Sequence, residues 1–127
     1  MTGAVPLARI GRYTLVGAVA TALHYALLAL LVEAFGWAAW LASGAGAVAG
    51  AQLAFFGNRR FTFAHDGTKG AAWLRFQGTA ALGALIGMAV VAWGVHAGWH
   101  YLSAQVVATL TSLFVTFAVN RHWTFKR

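Results

Sequence analysis

Residues Tyr13 to Val32 read YTLVGAVATALHYALLALLV, twenty residues without a charge. At ~1.5 Å of rise per residue, such a run spans about 30 Å as a helix, the thickness of a bilayer's hydrocarbon core. Three more charge-free runs follow: Trp37 to Gly57, Phe76 to Val95 and Tyr101 to Val119. Backbone polar groups in lipid must be satisfied within their own segment, so each run is expected to be a helix. The first run is too long for a secretory signal, and no small-residue cleavage site follows it. The expected fold is an all-α integral membrane protein: one domain over residues 1–127, with transmembrane helices at about 13–32, 37–57, 76–95 and 101–119. Composition agrees. The 127 residues are 61% hydrophobic and 9% charged, against about 45–50% and about 25% in a soluble domain.

Charge sets the expected orientation. Lys+Arg number 9 against 2 Asp+Glu. In a soluble chain that excess would suggest nucleic acid; in an apolar one it reports topology, so no nucleic-acid partner is expected. Arg9 and Arg12 precede the first helix. Arg59, Arg60, Lys69 and Arg75 lie between the second and third, and Arg121, Lys126 and Arg127 follow the fourth. The two connections on the other side, Glu33 to Trp40 and His96 to His100, have neither Lys nor Arg. Both termini are therefore expected in the cytoplasm. The loop from Asn58 to Arg75 is expected there too, as a loop with a short interfacial segment.

The chain repeats itself. Shifted by 62, Gly36-Trp37 falls on Gly98-Trp99, Ala42 on Ala104 and Phe55 on Phe117; Asn58-Arg59 falls on Asn120-Arg121 and Thr62-Phe63 on Thr124-Phe125. That makes eight identities over the 28 positions from Gly36 to Phe63. Each half is a helical hairpin. Two helices per unit preserve orientation, so the repeat is parallel, about an axis along the membrane normal.

Several chemistries are excluded. Glu33 and Asp66 are the only carboxylates, on opposite sides in this topology, so no acid pair can cooperate. There is no phosphate loop, and no HxxxH or HExxH spacing falls within one helix. His96 and His100 straddle Gly98 without a third ligand. With no cysteine there is no disulfide, thiolate site or cysteine nucleophile. No metal, cofactor or enzymatic activity is expected.

Polar residues form stripes inside the helices. The fourth run carries Gln105, Thr109, Ser112, Thr116 and Asn120, and the first carries Thr14, Gly17, Thr21 and His24, at steps of three and four that share a face. Gln52 lies in the second. Two readings stay open: hydroxyls that bond within and between helices, or a polar groove through the bilayer. His24 near mid-membrane must face the protein, as a structural histidine or a site histidine. Gly46/Gly50 and Gly83/Gly87, each four apart, are read as close-packing surfaces.

The most specific feature is a repeated ending, Phe55-Phe56-Gly57-Asn58-Arg59-Arg60-Phe61-Thr62-Phe63 and Phe117-Ala118-Val119-Asn120-Arg121-His122-Trp123-Thr124-Phe125. Asn can end a helix, Arg can snorkel to lipid phosphates and aromatics can anchor the interface. The same residues suit a paired anion site, because arginine's planar fork matches phosphate oxygens. At this ending the chain resembles the GtrA-like family of small bacterial membrane proteins, GtcA-type teichoic-acid glycosylation proteins included. Arg12-Tyr13-Thr14-Leu15-Val16-Gly17 matches that family's Arg-Phe-x-x-x-Gly start loosely, and the resemblance runs from about Arg9 to Lys126. Members often have Asn or Ser just before the Phe of the ending; here Ala54 and Thr116 stand there, so a polar group survives only in the second half.

The resemblance implies flipping of polyprenyl-phosphate-linked monosaccharides across the bacterial inner membrane, for cell-surface polysaccharide glycosylation. On that reading Asn58, Arg59, Asn120 and Arg121 would bind the lipid phosphate, with Arg12, Arg60 and Arg75 as secondary contacts. The sugar would pass Thr21, His24, Gln52, Thr109, Ser112 and Thr116. Four helices of this length make a thin bundle with little room for a groove, so a parallel homodimer is expected. A membrane glycosyltransferase is a further candidate partner. Two rival classes are a scaffold that recruits such an enzyme without moving lipid, and a small multidrug-type exporter. The exporter would use a membrane-embedded Glu, whereas Glu33 stands at the outer end of its helix. The topology has a direct check. With no native cysteine to interfere, a thiol placed at Gly36 should label from outside the cell and one at Gly67 should not; external labelling at Gly67 would overturn the orientation.

Overall fold

The computed structural model describes residues 7–59 and 70–119. They form four helices and no strands: α1 (Leu7–Glu33), α2 (Ala39–Gly57), α3 (Gly70–His96) and α4 (Tyr101–Val119). All four are long and apolar enough to cross a membrane, so the chain is an all-α, multi-pass membrane protein. α1 and α3 start well before the charge-free runs do. Arginine is a good helix former, and Arg12 and Arg75 ride within the helices instead of preceding them. Arg12, Arg59 and Arg75 share one end of the bundle, called here the basic end. The α1–α2 and α3–α4 connections share the other, the loop end.

Each hairpin turns on a glycine with positive φ, Gly36 at 70° and Gly98 at 96°. These are repeat partners, and only glycine takes that conformation without a steric cost. The two turns differ by one residue. After α3, Trp99 N–H donates to the Gly94 carbonyl, five residues back (2.9 Å). After α1, Trp37 N–H donates to the Leu31 carbonyl, six back (3.0 Å). The first turn holds an extra residue, so α2 maps onto α4 by a shift of 62 but α1 maps onto α3 by 63.

That register brings out contacts repeated across the two hairpins. A Cβ on Gly46 would lie 2.7 Å from the His24 carbonyl oxygen, and one on Gly50 would lie 2.9 Å from that of Ala20. In the second hairpin the equivalent pairs meet again. A Cβ on Gly87 would contact Ala108 at 3.9 Å, and Ser112 Oγ donates to the Gly83 carbonyl at 2.9 Å. Lipid tails are as apolar as leucine, so helix association in a membrane draws on close packing and hydrogen bonds. Small residues supply the closeness. The glycine faces read as close-packing surfaces are thus used inside each hairpin. Among the described residues, the apolar side chains with no exposure are Leu28, Ala42, Val91, Ala104 and Ala108, all toward the loop end. Helices α1 and α2, α2 and α3, and α3 and α4 pack along each other.

The close approaches make a graded prediction. Gly50→Ala should lower the thermal midpoint in detergent by several degrees, since overpacking costs about 1–3 kcal/mol. Gly17→Ala should leave it unchanged, because nothing lies within 4 Å of a Cβ there. Fluorescence-detected size exclusion after heating would read both.

Candidate functional site

The bundle is not too thin for a groove. It holds an open-sided cavity of about 570 Å³ lined by all four helices, within the range of about 300–1,000 Å³ usual for small-molecule sites. The cavity follows α2 from Ser43 to Phe55, about 18 Å of rise. Small residues on α2 and α3, among them Ala47, Ala51, Ala80 and Ala84, leave the space. What faces it is uneven. Tyr13, Phe55, Arg75 and Phe76 stand toward the basic end, and Thr21, Thr79, Ser112 and Thr116 along the walls. His24, Ser43, Gln105 and Thr109 stand toward the loop end. Arg75 is the charged residue of this lining.

The loop-end limit is a chain of hydrogen bonds across three helices. Ser43 Oγ donates to Gln105 Oε1 (2.5 Å), and Gln105 Nε2 donates to Thr109 Oγ1 (3.1 Å). Thr109 Oγ1 and Tyr25 Oη share a bond of 2.7 Å, and Tyr25 Oη donates to the Gln105 carbonyl at 3.4 Å. Ser43 and Gln105 are 1% exposed, and they are partners in the repeat, 62 apart. A residue that bonds to its own equivalent lies at the pseudo-twofold axis, so this cluster marks the centre of the bundle. His24 stands beside it. Its ring meets that of Tyr25 edge-on, 5.5 Å between centroids, while Nε2 is buried without a partner among the described residues.

Most of the expected pathway converges here. Thr21, His24, Thr109, Ser112 and Thr116 all line the cavity. Several of these hydroxyls are also bonded within their own helices: Thr21 to the Gly17 carbonyl (2.9 Å) and Thr116 to that of Ser112 (2.7 Å). Gln52 is not in the lining. It pairs with Gln77 of α3 through two amide bonds of 2.8 and 2.9 Å. Of the expected phosphate contacts Arg75 lines the cavity, whereas Arg12, Asn58 and Arg59 lie near its basic end without lining it. Arg60, Asn120 and Arg121 lie outside the described residues. Tyr25, Ser43 and Thr79 were not singled out in the sequence. The signal for Ser43 is its repeat position, 62 before Gln105.

His96 and His100 gather no third ligand, and no group of three metal-ligating residues occurs among the described residues. His100 stacks on Tyr101, which donates to Glu33 Oε2 at 2.8 Å. Glu33 therefore joins α1 to α4 at the loop end.

A family model described as GtrA/DPMS, transmembrane domain, matches residues 12–125. No curated protein and no solved structure matches the chain.

The cluster orders the expected costs of substitution. Gln105→Leu removes bonds to two other side chains and leaves buried Ser43 unpaired. It should destabilise the bundle more than Thr116→Val, whose hydroxyl bonds within its own helix. Interhelical hydrogen bonds in membranes average ~0.6 kcal/mol with a maximum near ~1.7, so Gln105→Leu should approach the upper figure. Unfolding by steric trapping in bicelles would rank the two.

Proposed function

The chain belongs to the GtrA/DPMS transmembrane-domain family, and on that premise we propose that it flips a polyprenyl-phosphate-linked monosaccharide across the bacterial inner membrane for cell-surface polysaccharide glycosylation. A membrane function related to polyprenyl-phosphate sugars comes with the family; movement of the lipid is the proposal. The observation that supports it is the cavity, lined with hydroxyls inside an apolar bundle and carrying Arg75 toward its basic end. A sugar hydroxyl stripped of water costs several kcal/mol unless it finds a partner. Thr21, Thr79, Ser112 and Thr116 line the path and can offer such partners. The phosphodiester is an anion, and a guanidinium can hold two of its oxygens at once. The isoprenoid tail needs no such path, because it stays in lipid.

In this reading the basic end is cytoplasmic and Arg75 is the main phosphate contact. Arg12, Arg59, Arg60 and Arg121, with Asn58 and Asn120, gather anionic head groups around it. A membrane glycosyltransferase supplies the lipid on that side. A parallel homodimer belongs to the same proposal, with contacts other than the four glycines. No bond is made or broken, so the protein is a transporter and not an enzyme. Moving a charge of −1 outward gains ~2.3 kcal/mol per 100 mV of inside-negative potential. That bias is about fiftyfold at equilibrium, and no ATP or proton coupling is required.

The test is a flip assay on purified protein in liposomes containing polyprenyl-phosphoryl glucose. Wild type should accelerate transfer between leaflets. Arg75→Gln should bring the rate close to that of protein-free liposomes. Arg75→Lys should fall between, since lysine keeps the charge and loses the planar fork. The double change Arg59→Lys with Arg121→Lys should have a smaller effect than Arg75→Gln. A wild-type protein that gives no acceleration would favour the scaffold, and an unaltered rate in Arg75→Gln would remove that arginine from the site.

A further inference from the structure

The pseudo-twofold relates two seams, α2 against α3 and α4 against α1, and among the described residues they are not alike. The α2–α3 seam is filled. Met88 Sδ sits where a Cβ on Gly44 would come within 2.6 Å, and Gln52 and Gln77 join by their paired amide bonds. Applying the shifts of 62 and 63 finds the residues that occupy the same places on the other seam. Val106 stands for Gly44, Tyr25 for Met88, Phe114 for Gln52 and Thr14 for Gln77. Tyr25 crosses to Thr109 toward the loop end. Toward the basic end the amide pair is replaced by residues that cannot reproduce it. Thr14 is exposed and Phe114 is 79% exposed. The α1–α4 pair does not pack along its length as the other three adjacent pairs do. The cavity reaches this seam, with Tyr13, Gly17 and Thr21 on one side and Leu113 and Thr116 on the other.

We propose that the α1–α4 seam, on the basic side of the Tyr25–Thr109 bond, holds the first isoprene units of a polyprenyl phosphate lipid while its head group occupies the cavity. This rests on the function proposed above. A molecule spanning the seam must be polar at one end and apolar at the other. Hydroxyls and Arg75 lie behind the opening, while exposed Leu110, Leu113, Phe114 and Phe117 flank it on α4. An isoprenoid phosphate has that polarity. A second copy of this chain would instead bring the same exposed α4 leucines and phenylalanines against a cavity that carries Arg75, and would offer that cation no anion.

A polyprenyl monophosphate carrying a diazirine in its first isoprene units tests this directly in liposomes. Irradiation should label peptides containing Tyr13 or Thr14 and Leu113 or Phe114, and excess unlabelled polyprenyl phosphate should compete the label away. Labelling of equal strength beside the α2–α3 seam, or labelling that excess lipid does not compete, would mean ordinary boundary lipid and overturn the proposal. The closed seam gives a second measurement. Thr14→Cys with Phe114→Cys, joined by a cleavable bis-thiosulfonate linker, should lose both the photolabel and flipping and regain them on reduction. The same linker on Gln52→Cys with Gln77→Cys should leave both intact. Crosslinks that form between chains and not within one would make the seam an interface between copies and likewise overturn the proposal. Photolabelling reads binding without transport: absent flipping with competed seam labelling rejects the transport reading alone, and flipping without seam labelling rejects this site alone.

Discussion

The Ala20 carbonyl lies 2.9 Å from where a Cβ would stand at Gly50, and the His24 carbonyl 2.7 Å from where one would stand at Gly46. No side chain fits at either position, so α1 and α2 meet backbone to backbone. The same constraint is met in the second hairpin with the roles exchanged: glycine is on α3 and the slightly larger residue, Ala108 or Ser112, on α4. The rest of the bundle depends on these crossings. They fix each hairpin tightly enough that the space left between the hairpins stays open, because Gly and Ala do not reach across it. One property of the sequence, small residues at helical spacing, therefore both holds the bundle together and hollows it.

A hollow in an apolar bundle brings polar groups into low dielectric, where an unpaired one is costly. The protein meets that demand at the axis. Ser43, Gln105, Thr109 and Tyr25 pass hydrogen bonds from α2 through α4 to α1, and Leu28, Val91, Ala104 and Ala108 are packed without exposure toward the same end. The loop end is thus closed by polar and apolar contacts together. His24 Nε2 stands outside the bonded set. A polar atom buried unpaired costs about 1–3 kcal/mol, which makes the closed arrangement less stable than its packing alone would suggest.

Charge-free runs of bilayer length made the helices legible, and the repeated Gly-Trp and Asn-Arg pairs made the two hairpins legible. Helix starts were less so. A run ends at the first charge, whereas a helix continues past Arg12 and Arg75 as long as its backbone bonds continue. The 63-residue register of α1 on α3 was hidden because the extra residue sits in the first turn, and a single shift cannot follow it. Arg12-Tyr13 and Arg75-Phe76 become equivalent only once that turn is known. Stripe periodicity found four of the α4 cavity residues, since a helix face is a property of one segment. It could not place Gln52, whose role depends on Gln77 across an interface, nor find Ser43, a lone serine in a Gly/Ala stretch. The glycine pairs announced close packing without naming the partner, and their partners proved to be within the chain.

A parallel repeat restricts how such a cavity can change sides. In an inverted repeat, exchanging the conformations of the two halves turns a cavity open on one side into one open on the other. Here the axis runs along the membrane normal. Exchanging the conformations of the two hairpins would move the open seam from α1–α4 to α2–α3 and leave the closed loop end closed. In the transport proposed above, exposure of a head group on the far side cannot come from symmetry. It must come from parting the bonded chain on the axis itself. Ser43 and Gln105 are the groups to separate, because they bond the two hairpins at the point their symmetry shares, and sugar hydroxyls are chemically suited to take over both bonds as they part. Recognition of the head group and opening of its way out would then be the same exchange of hydrogen bonds.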